Sequence, residues 1–229
     1  MVTGSARISL GTCLVFLGLG LFILLRGDSN DTYAGILVCS IALLQLFDYG
    51  VWSNLECNPG GSNDRATRGL YMYLWLLPAI LCFAAAGLAT DVFADQAGRM
   101  FLYGMGGVFT LLFLALFTVI YDNKLTMCSA PGQSGQLKYG FLNDEKVPIK
   151  PNLLLLAGLL VPTLLVDPFM LGLGTVGVAI GSYVLSKQFD PFMRGEWLTA
   201  ETLLMNGVGI WALLVPAIKR DLAGLGGTY

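Results

Sequence analysis

Long apolar segments separated by short polar ones dominate the sequence. A helix of about 20 residues crosses the roughly 30 Å hydrocarbon core of a bilayer. Charged residues make up only 12% of the chain, against about 25% in soluble proteins. The sequence therefore predicts an all-α fold, a polytopic integral membrane helical bundle that forms a single domain over residues 1–229. About seven transmembrane helices can be drawn, at residues 8–25, 33–54, 70–89, 99–121, 152–166, 168–187 and 198–218.

The fifth of these segments is short, and Asp167-Pro168 separates it from the sixth. Proline starts helices well and disfavours a helical conformation in the residue before it. The two segments are therefore expected to form a tight helical hairpin. A bundle of six helices with one re-entrant segment is the alternative.

One carboxylate, Asp48, lies well inside an apolar segment. Gln45, Asp48, Tyr49 and Trp52 are spaced i, i+3, i+4 and i+7, so on a helix they share one face. A polar stripe on a membrane helix must face other helices or water. An ionisable group inside a membrane is costly unless it is paired or hydrated, which makes it a candidate functional residue.

Polar residues of the last segment match this stripe in depth. Thr202 and Asn206 lie on one face of the predicted seventh helix, and Glu201 lies near its start. The opposite half of the predicted bundle is almost purely apolar. The sequence thus predicts a one-sided polar vestibule, with Gln45 and Asp48 as central ligands for a small solute or cation. Tyr49, Trp52, Thr202 and Asn206 would line it, and Glu201 would lie at its mouth.

The same residues also have a structural interpretation. Asp48 lies about one turn from Trp52, so it can be hydrated at the membrane surface. Aromatic residues at helix ends are ordinary interfacial anchors, and Gln or Asn side chains often form hydrogen bonds between helices. A structural or accessory subunit of a larger membrane complex is therefore the main alternative function. A non-retinal seven-helix sensor is another, since no apolar segment has the central lysine that retinal requires.

Several function classes lack their characteristic residues. Histidine is absent, and the five cysteines form no CxxC motif. The sequence therefore predicts no enzyme activity, no metal site and no cofactor. The basic residues are dispersed and the net charge is -2, so a nucleic-acid partner is not expected. The expected partners are the lipid bilayer, a small solute or cation, and other membrane proteins or a second copy of the chain.

Two signals in the loops disagree about orientation. With seven spans, nine Lys and Arg residues lie on the side of the N-terminus and four on the other side. The positive-inside rule then places the N-terminus in the cytoplasm. Cys57 and Cys128 lie on the same nine-charge side. A disulfide between them, which the sequence leaves open, would require that side to be lumenal or extracellular.

Several short motifs support a resemblance. They are Ser5-Ala6-Arg7-Ile8-Ser9, Gln45-Leu46-Phe47-Asp48 with Trp52, Cys57 followed by Asn58 and Asn63, and Gln136-Leu137-Lys138-Tyr139 after Cys128. Over about the first 140 residues, the chain resembles a loosely defined group of uncharacterised multi-pass membrane proteins of large DNA viruses and unicellular eukaryotes. The resemblance implies a seven-span fold with a Gln or Glu stripe in the second span, and it implies no biochemical activity.

Overall fold

The computed structural model is mainly helical in the part of the chain that it describes. That part comprises residues 6–26, 31–89, 92–122, 125–131, 137–143, 145–150, 153–166 and 177. The helices are α1 (Ala6–Arg26), α2 (Asp31–Ser53), α3 (Ser62–Leu88), α4 (Asp95–Asp122), α5 (Gly140–Asn143) and α6 (Leu153–Leu165). Two short strands, β1 (Ala130–Pro131) and β2 (Leu137–Lys138), lie between α4 and α5.

Four helices are long and apolar enough to cross a membrane. The helices α1 to α4 contain 21, 23, 27 and 28 residues. At about 1.5 Å per residue, each exceeds the roughly 30 Å of a hydrocarbon core. They coincide with the first four predicted segments. The start of α3 differs most, because the helix begins at Ser62 and not near residue 70. Hydropathy missed this extra polar stretch, which is helical and bonds residues of a later loop.

The fifth predicted segment corresponds to α6, which is only 13 residues long. That length is about 20 Å, which is shorter than the hydrocarbon core of a bilayer. Its last residues are held by the turn between α3 and α4. There the backbone N–H of Phe93 donates to the carbonyl of Leu165 (2.6 Å), and Val92 forms an isolated antiparallel bridge with Val166. The predicted sixth and seventh segments, 168–187 and 198–218, lie outside the described residues, apart from Gly177.

The central helix is α3, which packs against α2, α4 and α6, while α1 packs on α2. It supplies many of the largest fully buried side chains of the core, including Tyr71, Leu74 and Trp75. The α1–α2 pair is close because Gly20 and Gly35 face each other. A Cβ atom on Gly20 would lie 3.1 Å from the carbonyl oxygen of Gly35, so a larger residue would force the two helices apart.

Charged side chains form bonds at the end of the bundle where α1 and α3 end and where α2 and α4 begin. Arg99 of α4 donates to the carbonyls of Ala86 (2.8 Å) and Ala89 (3.0 Å) at the end of α3. A cation at this position satisfies carbonyls that have no intrahelical partner and interacts favourably with the helix dipole. Arg26, at the end of α1, and Asp31, at the start of α2, form a salt bridge (3.3 Å).

Candidate functional site

A loop region folds back over the end of the bundle where α2 ends and α3 begins. We call its described residues, 125–131, 137–143 and 145–150, the cap. Its two strands form an antiparallel hairpin in which Ala130 pairs with Lys138 and Pro131 with Leu137. The cap gives the bundle one structured end.

A disulfide joins the cap to the loop between α2 and α3. It links Cys57 and Cys128, which are 71 residues apart in sequence and whose Cα atoms lie 5.6 Å apart. Cys57 is exposed and Cys128 is half-buried. The sequence left this pairing open, and the structure forms it. The bond connects the loop that directly follows α2 to the middle of the cap.

The first turns of α3 bind the cap through a second, non-covalent connection that we call the polar clasp. Its members are Asn63, Asp64 and Thr67 of α3, which bond the backbone of Met127 and both the backbone and the side-chain hydroxyl of Ser129 in the cap. All five residues are buried. The Asn63 amide accepts a hydrogen bond from the Ser129 N–H (2.9 Å) and donates one to the Ser129 carbonyl (2.8 Å). The Asp64 carboxylate accepts the N–H of Met127 (2.8 Å).

The Asp64 carboxylate also organises the start of its own helix. It accepts the backbone N–H of Gly60 (2.7 Å) and forms a salt bridge with Arg68, one turn further on. A carboxylate in the first turn is favoured by the helix dipole, and here it also satisfies a loop N–H. Gly60 has φ +72°, a left-handed conformation that favours glycine. The loop geometry and the clasp therefore depend on the same carboxylate.

Asp48, the residue that the sequence singled out, is covered by the cap. The hydroxyl of Tyr139 donates a hydrogen bond to the Asp48 carboxylate (2.7 Å). Asp48 lies five residues before the end of α2 at Ser53, about 8 Å from it along the helix. Within the described residues no salt bridge reaches it, and its hydrogen-bond donor is a neutral phenol. The charge of a half-buried carboxylate is thus left without a cationic partner in this part of the chain.

Aromatic contacts with two other residues hold the ring of Tyr139. Its ring stacks on Phe141, with centroids 5.5 Å apart, and Phe141 contacts the ring of Tyr71 on α3 at 5.4 Å. The Tyr71 hydroxyl in turn donates to the carbonyl of Ile149, near the end of the cap (2.7 Å). Because Tyr139 and Phe141 are buried, the phenol over Asp48 has a defined position.

Of the six other predicted ligand residues, the structure describes three. Gln45 is buried one turn deeper on α2, while Tyr49 and Trp52 are half-buried near the helix end. Glu201, Thr202 and Asn206 lie outside the described residues, and the structure does not describe the predicted pairing of the second and seventh segments.

The contact of Tyr139 with Asp48 and the polar clasp were not predicted from the sequence, although the spacing of the residues in both is visible there. Leu137, Tyr139 and Phe141 alternate with Lys138 and Gly140, the period expected of an extended segment with one buried face. In the clasp, Asn63 and Thr67 are four residues apart, as are Asp64 and Arg68, which is helical spacing.

A second buried polar pair lies in the opposite half of the bundle, which the sequence described as almost purely apolar. Tyr33, near the start of α2, and Thr163, near the end of α6, share a hydrogen bond of 2.8 Å between fully buried hydroxyl groups. Each hydroxyl satisfies the other, so the pair is explained as a hydrogen bond that links α2 to α6. Among the described residues, no group of three or more Cys, Asp or Glu residues is arranged to hold a metal ion.

Comparison of the chain with protein-family models, with curated proteins and with solved structures finds no match.

Proposed function

We propose that the chain is an integral membrane protein of about seven spans that binds a small solute or cation at Asp48, beneath the cap. The observation that carries this proposal is the hydrogen bond between Asp48 and Tyr139. It holds a carboxylate with only a neutral partner near one end of an apolar helix. An ionisable group in such a position is costly unless it is paired, hydrated or functional.

The environment of Asp48 favours a proton, a monovalent cation or the cationic group of a small solute. A tightly held divalent ion requires several oxygen ligands, usually including more than one carboxylate. The described residues place one carboxylate and one phenol oxygen at this point. Gln45, one turn deeper and buried, is the neutral side chain best placed along the helix to add a further oxygen.

We also propose that the cap lies on the extracytoplasmic side, because disulfides persist in oxidising compartments. Two helices, α1 and α2, separate the N-terminus from the loop that contains Cys57, so the N-terminus would lie on the same side. This orientation is opposite to the one that the count of Lys and Arg predicts. Part of that charge has a structural role in the loop: Arg68 pairs with Asp64, and Arg65 donates to the carbonyl of Gly60 (2.6 Å).

The test replaces Asp48 with Asn, which keeps the shape of the side chain and removes the charge. Purified protein in liposomes is exposed to proton, Na⁺ and K⁺ gradients while a dye reports internal pH. In parallel, the tryptophan fluorescence of the protein, to which Trp52 one turn from Asp48 contributes, is titrated with each cation. We expect the wild type to show a saturable, pH-dependent signal that Asp48→Asn abolishes while the folded yield stays unchanged. Glu56→Gln is the matched control, because Glu56 is an exposed carboxylate at the same end of the bundle.

A structural or accessory subunit is the second candidate, and one observation favours it. Asp48 already has a hydrogen-bond donor within its own chain, so the contact can serve to fix the cap on α2. This alternative predicts that Asp48→Asn lowers the folded yield and that neither protein shows a cation-dependent signal. Stable membrane proteins that co-purify with the wild type would support it further.

A further inference from the structure

The Asp48 carboxylate has an acceptor that the described part of the chain leaves open. Its Oδ1 atom accepts the hydroxyl of Tyr139 (2.7 Å), while no hydrogen bond from a described residue reaches Oδ2. An ionised carboxylate offers about four lone-pair sites and no donor of its own. The contact with the cap therefore occupies only part of the bonding capacity of Asp48.

Gln45, on the same helix, is a second polar group without a partner among the described residues. The residue is only 6% exposed, and none of the hydrogen bonds in this part of the chain includes its side-chain amide. A buried amide without a hydrogen bond is destabilising, and such groups are uncommon in folded proteins. The Gln45 amide is therefore available to a ligand that reaches this part of α2.

The two groups share one face of α2. Gln45 and Asp48 are three residues apart, so their Cβ atoms lie about 5–6 Å from each other on the helix. Tyr49 and Trp52, both half-buried, continue the same face towards the end of α2. One small ligand can therefore contact the carboxylate, the amide and an aromatic ring at the same time.

Resting on the ligand site proposed above, we propose that its ligand is a small organic ammonium ion with N–H donors, such as a primary alkylamine in its charged form. One N–H donates to Oδ2 of Asp48, and another donates to the side-chain carbonyl of Gln45. The alkyl part lies along Tyr49 and Trp52, towards the end of α2. The ligand thus supplies the donors that both groups lack in the described residues.

The number of open acceptors favours this ligand over a metal cation. A metal cation leaves water only for a shell of oxygen ligands, which contains about six to eight oxygens for Ca²⁺ and rings of carbonyls in K⁺-selective pores. The open acceptors on this face of α2, within the described residues, are Asp48 Oδ2 and the Gln45 carbonyl. A primary ammonium group has three N–H donors, so two directed bonds satisfy most of its needs.

The charge and the aromatic side chains of the site agree with an organic cation. No salt bridge of the described residues includes Asp48, so one positive charge on the ligand balances the carboxylate. The rings of Tyr49 and Trp52 attract a cation within about 6 Å and provide an apolar surface for its carbon atoms. A quaternary ammonium ion can use these rings but has no N–H for Asp48 or Gln45. The N–H donors are therefore the property that the site should select.

The experiment compares three cations on full-length protein in nanodiscs by isothermal titration calorimetry, at constant pH and ionic strength. They are propylammonium, propyltrimethylammonium and K⁺. The first two have the same charge and the same alkyl chain, and only the first has N–H donors. We expect propylammonium to bind about tenfold more tightly than the other two, because hydrogen bonds to charged groups are lost with them. Asp48→Asn should abolish the binding of propylammonium.

Substitution of Gln45 tests the second contact. Gln45→Leu keeps the approximate size of the side chain and removes the amide. It should weaken the binding of propylammonium by about tenfold and leave that of propyltrimethylammonium unchanged. Leu46→Ala is the matched control, since Leu46 is the next residue of α2 and its side chain is exposed on another face. Gel filtration checks that each variant is folded, and the comparison of the three cations on the wild type needs no variant.

The results separate this proposal from the ligand site on which it rests. Asp48-dependent binding of K⁺ or propyltrimethylammonium that is as tight as that of propylammonium would overturn the ammonium ligand and leave the site in place. So would an unchanged affinity for propylammonium in folded Gln45→Leu. If no cation and no proton gradient gives a signal that depends on Asp48, the ligand site itself is wrong, and the ammonium ligand is wrong with it.

Discussion

The polar clasp allows the sharpest test of the structure, through the substitution Asn63→Ala. The Asn63 amide is fully buried and bonds both backbone groups of Ser129, with distances of 2.9 Å to the nitrogen and 2.8 Å to the carbonyl oxygen. It also accepts the hydroxyl of Thr67 (3.2 Å). Alanine would leave the two backbone groups of Ser129 without these partners in a buried position.

The magnitude follows from the cost of unsatisfied buried polar groups, about 1–3 kcal/mol each. Two such groups lie close to the end of the bundle, where water can replace part of the lost bonding. We therefore expect the free energy of opening the cap to fall by about 2–3 kcal/mol. Since each 1.4 kcal/mol is a factor of ten, the equilibrium for opening should rise by about 30- to 140-fold.

Hydrogen exchange measures this opening directly, because the amide of Ser129 donates to Asn63. The peptide that contains residues 125–131 should exchange about 30- to 140-fold faster in Asn63→Ala than in the wild type. Asn58→Ala is the matched control, since Asn58 is exposed in the same loop and its side chain makes, within the described part of the chain, only a long contact with Glu56 (3.4 Å). Equal exchange rates for the two variants would refute the assignment of the clasp as the anchor of the cap.

Two further predictions concern the opposite end of the bundle and its orientation. Arg99→Met should lower the free energy of unfolding by about 1–3 kcal/mol, because it leaves carbonyls at the end of α3 without a charged donor. Detergent titration measures this change, and Arg99→Lys should recover part of the lost stability. In intact cells, after mild reduction, a membrane-impermeant maleimide should label Cys57. A cysteine introduced at exposed Gln96, in the first turn of α4 at the other end of the bundle, should be labelled only after permeabilisation. The reverse pattern would place the cap in the cytoplasm.

The four long helices were predictable because length and hydropathy are sufficient to define them. The start of α3 was not, since its first turns are polar and hydropathy assigns such residues to a loop. Their polar side chains have partners in the structure, because Asp64 satisfies the N–H of Gly60, and Asn63, Asp64 and Thr67 bond the cap. The missing information was tertiary: the chain that satisfies Asn63 lies 66 residues further on.

The prediction for Asp48 rested on the spacing and the depth of residues within membrane helices. Helical spacing singled out the residue and depth placed it near one end of its helix, as the structure also does. Matching of depth between apolar segments then suggested partners in the seventh segment. That method compares only membrane helices with one another, so it could not find a donor in a loop. The phenol of Tyr139 reaches Asp48 from a part of the sequence that hydropathy assigns to the outside of the bundle.

A loop can lie against the ends of membrane helices only if its backbone polar groups have partners. In the cap, Asn63 and Asp64 provide them for Ser129 and Met127, and Tyr71 bonds the carbonyl of Ile149. Buried side chains on three turns of α3 therefore make it possible for non-helical backbone to approach α2. The lone carboxylate of α2 acquires its phenol partner as a consequence. The polar residues of α3, which bind no proposed ligand, thus help to hold the cap that covers Asp48.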